Sequence, residues 1–458
     1  MKRAVVIGGG ISGLTTAHRL LRENVGEVLV LEASARLGGN IRTEREKGFV
    51  IDAGPDSWVA AKPQAKALCR ELGLGESLIG TQEQNRRVYV LRRGKLTPMP
   101  EGAVLGLPAR LGPFLSSELL SLPAKLRVLS EALRRRGPQG DPSIADFLGE
   151  RFGREMSDVV LEPLLGGVFA GDGRELSFRA TFPQLAAMAD KHGSLLRAVR
   201  SMQRGRPASN ASAFLSLRGG LGELIEALEA ELGDVVRRNA KVASVTKSAN
   251  GFEVRLDSGE SIEAEQVVVA LPAHAASKIL ASLDPELSHE LYGIPYVSTA
   301  TVFFGWKRHE VAHPLDATGF LVPVRERRHV MAATFISSKW AHRAPEGHVL
   351  VRAFLGGGRD EGILASPDEK LVHLARQEIA PVLGVSADPM LVRVMRYHRA
   401  SPQPALGHLD RMRRITELVA RLPGLHVIGN AYEGVGIPDC VRHAERVART
   451  VAESVRTD

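Results

Sequence analysis

Hydrophobic and polar positions change period twice within the first thirty-two residues. Ala4 to Ile7 is a short apolar run, Gly8 to Gly13 interrupts it, Leu14 to Leu21 puts apolar residues at helical spacing, and Val28 to Leu31 is a second short run closing on Glu32. Brief apolar runs bounded by turn signals predict buried strands, and the spacing between them predicts a helix, so the opening reads as a βαβ unit. Lys241 to Val245 and Phe252 to Leu256 flank the Asn250-Gly251 turn and predict a hairpin. Gln266 to Leu271 predicts a buried strand stopped by Pro272, and His426 to Ile428 predicts another, ahead of a glycine-rich loop and a terminal helix from about Pro438 to Val455.

These pieces predict one nucleotide-binding domain built from residues 1–75, 206–290 and 399–458. The intervening stretches differ in pattern. Residues 76–205 carry Leu and Ala at helical period, as in Leu126 to Leu133, and predict a helical insertion. Residues 291–398 show strand-like runs at Ser298 to Phe304, Phe320 to Val322, Val330 to Phe335 and Val349 to Leu355, then a helix-like segment from Asp368 to Leu383. A sheet with a covering helix is expected there. The expected class is therefore α/β, a Rossmann-like domain with a sheet-based substrate domain and a helical insertion.

Composition narrows the function classes. The 458 residues, 44% of them hydrophobic and 24% charged, suffice for more than one core, and no fixed-period repeat suggests a solenoid. Ala4 to Ile7 is too short for the apolar core of a secretion signal. Cys69 and Cys440 are the only cysteines, which excludes a disulfide framework or a cysteine zinc site and makes a reducing cytoplasm the expected compartment. The net charge of +8 is spread over Arg92-Arg93, Arg134 to Arg136, Arg325 to Arg328 and Arg411 to Arg414, without the interleaved aromatics that single-stranded nucleic acid needs. Solvated faces are the plain reading, with an acidic substrate or a peripheral contact with an anionic membrane as the others. The apolar stretch Val104 to Leu122 is broken by Pro108 and Pro113 and carries Arg110 and Glu118, so it is no spanning helix. A substrate-tunnel wall and an interfacial anchor both remain open for it.

Gly8-x-Gly10-x-x-Gly13 has the logic of a pyrophosphate site: a tight turn, close backbone approach, and tight helix packing behind a helix N-terminus. Glu32, at a strand end some twenty residues on, suits a ribose hydroxyl and disfavours a 2′-phosphate, leaving FAD or NAD. Arg36-Leu37-Gly38-Gly39-Asn40 then offers a cation and two small residues for a second phosphate contact. A plain Gly-Gly turn with a surface arginine is the alternative.

Leu31-Glu32-Ala33 followed by Arg36-Leu37-Gly38-Gly39 resembles the amine-oxidase and porphyrinogen-oxidase superfamily of FAD enzymes. Gly48-Phe49-Val50-Ile51-Asp52-Ala53-Gly54-Pro55-Asp56-Ser57, Pro98-Met99-Pro100, Gly167 to Asp172 and Gly319 to Pro323 are similar to the porphyrinogen-oxidase branch. Gly429-Asn430-Ala431-Tyr432-Glu433-Gly434-Val435-Gly436-Ile437-Pro438-Asp439-Cys440 looks like its C-terminal flavin loop, and the likeness runs through essentially the whole chain. It implies one noncovalent FAD per chain, held at Gly8, Gly9, Gly10, Ile11, Ser12, Gly13, Leu31, Glu32, Arg36, Gly39, Ala53, Gly54, Pro55, Asp56, Val435, Gly436 and Ile437, with the Val242 backbone at the adenine. A further FAD contact falls at Tyr397, where the family commonly has tryptophan. Cys440 reads as a small buried thiol at a helix start, not a covalent flavin link.

No nucleophile, metal or charge-relay constellation stands out, since His18, His192, His274 and His443 are isolated, so the chemistry falls to the cofactor. The resemblance implies a porphyrinogen oxidase of haem biosynthesis, oxidising its tetrapyrrole in three two-electron steps with dioxygen reduced to hydrogen peroxide. Residues 54–62, Pro98 to Val104 and Lys339-Trp340-Ala341-His342 are nearer to bacterial coproporphyrinogen III oxidases than to protoporphyrinogen IX oxidases. On that likeness Lys62 pairs with a propionate, although a surface lysine is an equal reading, while Gly167 meets the ring edge and Thr318 and Leu321 enclose the ring. A ferrochelatase is the recipient by analogy. A flavin amine oxidase or desaturase, and a non-catalytic flavin or tetrapyrrole carrier, are the alternatives on the same fold.

Overall fold

The computed structural model of the protein describes residues 3–104, 106–203 and 211–457. The chain divides into two compact units: Met1–Gly80, Ala213–Pro295 and Leu409–Asp458 make the first, and Thr81–Ser212 with Tyr296–His408 the second.

The first unit is built on a five-stranded parallel sheet in the order Val236–Arg237, Glu27–Leu31, Arg3–Ile7, Gln266–Val269, Leu425–Val427. Val5 stands opposite Leu29 on one side and Val267 on the other. Central parallel strands are covered on both faces, which is why these segments read as unbroken Val, Leu and Ile rather than as an alternation. Helix Ile11–Arg22 returns from the first strand and contributes Leu14, Ala17 and Leu20 to a core shared with Val441, Ala444 and Val451 of the C-terminal helix Ile437–Thr457. The expected hairpin is present as Val242–Ser248 and Gly251–Leu256, extended by Ser261–Ala264. A small antiparallel sheet joins Trp58–Val59, Phe214–Leu217 and Leu78–Gly80.

His18 and His443 are buried in this unit and His426 is half-buried. His426, with Nε2 3.1 Å from Gln266 Oε1, has its pKa pushed by burial from 6.5 to about 4. Burial also brings His443 to about 4 and lowers His18. Above pH 6.5 these rings are neutral in both states; as the pH falls toward 4 the unfolded chain takes up protons that the folded chain refuses, so stability is lost. The slope approaches about 1.4 kcal/mol per pH unit for His426 and for His443 between these values. Thermal midpoints measured from pH 7.5 to pH 5 are therefore expected to fall, and His426→Gln to flatten the profile; an unchanged slope in that variant removes His426 from the account.

The second unit holds a seven-stranded sheet in the order Leu391–Pro402, Tyr296–Lys307, His348–Gly356, Val330–Phe335, Gly319–Leu321, Val88–Arg92, Lys95–Pro98. Helix Asp368–Leu383 supplies Leu371, Ala375, Ile379 and Leu383 to a core with Val302, Phe304, Val351 and Ala353. Thus the helical and sheet segments that the sequence sets apart fall in one unit, and the expected helical insertion gives two strands to the sheet. Tyr89 pairs in parallel with Phe320, a contact with no local signature in either segment.

The remainder of the insertion is helical. Ser121 and Ser143 each accept a backbone N–H at a helix start, and the buried Arg151–Glu131 pair, 3.0 Å apart, ties the bundle together, with Glu131 also accepting the Leu195 and Leu196 N–H groups. The stretch ending at Leu122 is two-sided. Leu107, Phe114, Leu119 and Leu120 are buried, and Phe114, Leu119 and Leu120 line a small apolar cleft with Met156 and Val160; Leu111, Leu115 and Leu122 are 40%, 46% and 66% exposed. Among the described residues no helix is long and apolar enough to cross a membrane.

Candidate functional site

The glycine motif sits where the first strand hands over to the first helix. Gly8 adopts φ +112°, a region L side chains avoid, and a Cβ there would lie 2.6 Å from the Ala270 carbonyl oxygen. At Gly13 a Cβ would fall 2.0 Å from the Gly8 carbonyl oxygen, so helix and turn touch backbone to backbone. Gly10 differs from both, because a Cβ there meets no protein atom within 4 Å. Gly10 also caps helix Ile11–Arg22, whose start has no side-chain cap and no acid in its first turn. An uncapped helix N-terminus behind open space is suited to an anion.

Glu32 follows the second strand, and its carboxylate is already partly engaged. Oε2 accepts the Gly9 N–H at 2.7 Å, while Oε1 accepts the Ser34 N–H at 2.8 Å and its hydroxyl at 2.7 Å. A carboxylate has about four acceptor positions, so one remains for a ribose hydroxyl. The Glu32 backbone also organises the adjoining segment, donating to the Arg237 carbonyl at 2.9 Å and accepting from Ala240 at 2.8 Å, which brings Val242 near the same strand end. Ser34 escaped the sequence reading, although a serine two places after a site carboxylate is a recognisable local signal.

Arg36 has protein partners of its own in addition to the phosphate contact its charge suggests. Its guanidinium donates to the carbonyls of Leu37, Ile41 and Gly39 at 3.0, 3.1 and 2.6 Å, folding the Gly38-Gly39 turn. Gly38 donates to the Gly9 carbonyl at 2.8 Å, so this turn lies against the first glycine loop. Only the donors not engaged by those carbonyls are left for a phosphate.

Ala53, Gly54, Pro55 and Asp56 follow strand Phe49–Asp52; Ala53 donates to the Arg42 carbonyl at 2.8 Å, and the Ser216 hydroxyl donates to the Asp56 carbonyl at 2.7 Å. Val435, Gly436 and Ile437 lead into the C-terminal helix, and buried Ile437 shares the core that contains Leu14 and Trp58. Cys440 is buried in the first turn of this helix, which packs along the first helix. Its thiol is pushed up to about 11 by burial, as befits an inert packing residue. Lys62 has its Nζ 2.5 Å from Asp439 Oδ2, an internal partner with no local signature in the sequence.

These residues fit a bound dinucleotide flavin: open space at Gly10, an uncapped helix start, a carboxylate with an acceptor to spare, and a glycine loop leading into a helix that packs along the first one. All of them belong to the first unit.

Of the substrate positions drawn from the resemblance, Lys62 lies in the first unit and Gly167, Thr318 and Leu321 in the second, which also holds Tyr397 of the cofactor set. Thr318 uses its hydroxyl and N–H on the Arg87 carbonyl, at 3.0 and 2.9 Å, and Leu321 is half-buried on the strand beside Val90. Gly167 lies within helix Glu162–Phe169, and its surroundings are outside what is described. Tyr397 is on strand Leu391–Pro402, opposite Thr299. Among the described residues no cluster of His, Cys, Asp and Glu could hold a metal ion.

Residues 11–452 match the family described as flavin containing amine oxidoreductase. The chain is 35% identical over 456 residues to the coproporphyrinogen III oxidase of Bacillus subtilis (strain 168), covering 96% of each chain. It is 31% identical over 480 residues to the chloroplastic protoporphyrinogen oxidase of Oryza sativa subsp. japonica, covering 98% of this chain and 88% of the other. A solved structure from Exiguobacterium sp. 255-15 superposes with a TM-score of 0.88 at 34% identity, covering 99% of both chains.

Proposed function

Because the chain belongs to the flavin-containing amine oxidoreductase family, among relatives named porphyrinogen oxidases, we propose that it is an FAD-dependent, oxygen-dependent porphyrinogen oxidase of haem biosynthesis acting on coproporphyrinogen III. The observation that carries the reading is the 35% identity to a coproporphyrinogen III oxidase across 96% of both chains, joined to a glycine loop with room for pyrophosphate at Gly10.

The protein's own residues bind and orient. The N–H groups at the start of helix Ile11–Arg22 hold the pyrophosphate, the free acceptor position of Glu32 holds a ribose hydroxyl, and the Val242 backbone meets the adenine. Ala53 to Asp56 and Val435 to Ile437 carry the flavin contacts, and Gly39 lets the second loop approach the phosphates. When bound, FAD supplies the two-electron acceptor that dioxygen regenerates, with hydrogen peroxide as the product. In the second unit, Gly167, Thr318 and Leu321 are the macrocycle contacts, and Tyr397 is a cofactor contact with an aromatic face in place of tryptophan.

Coproporphyrinogen carries four propionates and protoporphyrinogen two, so an excess of cations favours the former; the net charge of +8 is in the right direction. Steady-state assays by porphyrin fluorescence are expected to give a kcat/KM for coproporphyrinogen III about tenfold or more above that for protoporphyrinogen IX, worth about 1.4 kcal/mol in the transition state. Equal values retire the preference, and no porphyrin from either retires the proposal.

A further inference from the structure

Asp439 is the third residue of the C-terminal helix Ile437–Thr457 and is 5% exposed. Its carboxylate lies directly under the glycine loop: a Cβ on Gly434 would stand 2.9 Å from Asp439 Cγ, and one on Gly436 3.0 Å from Oδ2. The Asp439 N–H donates to the Gly436 carbonyl at 2.9 Å, so the loop is fixed by backbone as well. Two cations meet the carboxylate from different elements. Lys62, on the turn after strand Trp58–Val59, approaches Oδ2 at 2.5 Å, and Arg442, one helical turn on, lies 3.4 Å from Oδ1 while donating to the Glu433 carbonyl at 3.1 Å.

The pair is asymmetric: the side chain of Lys62 is 40% exposed and that of Asp439 only 6%. A buried carboxylate left with less countercharge is costly and repels negative charge placed beside it. A helix N-terminus favours such a carboxylate, but the same carboxylate offsets the positive end of the helix that would otherwise favour an electron-rich ring at the loop.

We propose that the Lys62–Asp439 ion pair is a positioning device for the loop Gly434 to Ile437, holding the glycine backbone in register and cancelling the buried carboxylate's charge beside the bound flavin. Lys62 is then a residue of the flavin loop and not a partner of a substrate propionate. The inference rests on the FAD reading.

The test is the midpoint potential of the flavin in the purified holoprotein, measured for the parent, Lys62→Met, Asp439→Asn, the double variant and Lys62→Arg. Lys62→Met is expected to make two-electron reduction about tenfold less favourable, a fall of about 30 mV. Asp439→Asn is expected to raise the potential by a similar amount, while the double variant and Lys62→Arg return to near the parent value. The ratio of KM for coproporphyrinogen III to that for protoporphyrinogen IX stays at the parent value in Lys62→Met. An unchanged potential overturns the proposal, whether the KM for coproporphyrinogen III rises selectively, which makes Lys62 a substrate residue, or stays constant, which makes the pair a surface contact. Absence of flavin from the parent protein is a failure of the cofactor reading, and it is seen before any variant is made.

Discussion

Glu32→Ala is expected to purify largely without flavin, at a cost of about 2 kcal/mol in FAD affinity, or roughly thirtyfold. The size follows from what the carboxylate does. It holds the Gly9 N–H at 2.7 Å and both donors of Ser34 within 2.8 Å, and it has one acceptor position left for the ribose. Truncation therefore removes a charged hydrogen bond to the ligand and loosens the glycine loop as well. Glu32→Gln keeps an acceptor oxygen without the charge and falls between the parent and the alanine variant. Flavin content by absorbance, followed by titration of the stripped protein with FAD, reads both effects; full flavin occupancy in Glu32→Ala contradicts the assignment.

The second large effect separates folding from binding within a single motif. A Cβ at Gly13 would sit 2.0 Å from the Gly8 carbonyl oxygen and 3.2 Å from the Ala270 Cβ, with no flexible side chain to yield. Gly13→Ala is therefore expected to destabilise the protein by about 3 kcal/mol, roughly 3 °C in Tm for a chain of 458 residues. At Gly10 a Cβ meets no protein atom within 4 Å, and φ is −79°, which alanine adopts freely. Gly10→Ala is expected to cost the apoprotein about 1 kcal/mol or less as a change of helix cap, yet to weaken FAD binding by about tenfold or more, because the methyl group occupies the space left for pyrophosphate. Tm of the stripped proteins beside their FAD titrations distinguishes the two. If Gly10→Ala binds FAD like the parent, the open space at Gly10 is not the pyrophosphate site.

The parts legible in the sequence are those whose physics is local. Arg3–Ile7, Ile11–Arg22 and Glu27–Leu31 announce themselves because buried parallel strands are continuously apolar and the helix between them is amphipathic. Asn250-Gly251 marks its hairpin for the same reason. What escaped depends on distant pairing. Val88–Arg92 joins the sheet only through Gly319–Leu321, more than two hundred residues on, and Leu391–Pro402 interleaves Arg393, Arg396 and His398 on a partly exposed edge, where no apolar run marks a strand. The site divides in the same way. Gly8, Gly10, Gly13 and Glu32 form a spacing motif, whereas the Lys62–Asp439 pair spans 377 positions, and the engagement of Arg36 with three carbonyls is a matter of loop geometry.

The measurement that tests the central claim most directly is anaerobic mixing of the yellow holoprotein with coproporphyrinogen III and, separately, protoporphyrinogen IX. Flavin absorbance is followed first, and porphyrin fluorescence after air is admitted. A porphyrinogen oxidase with the proposed preference is bleached fastest by coproporphyrinogen III, and air restores the flavin colour while porphyrin and hydrogen peroxide accumulate. A flavin that keeps its colour with both donors contradicts the account.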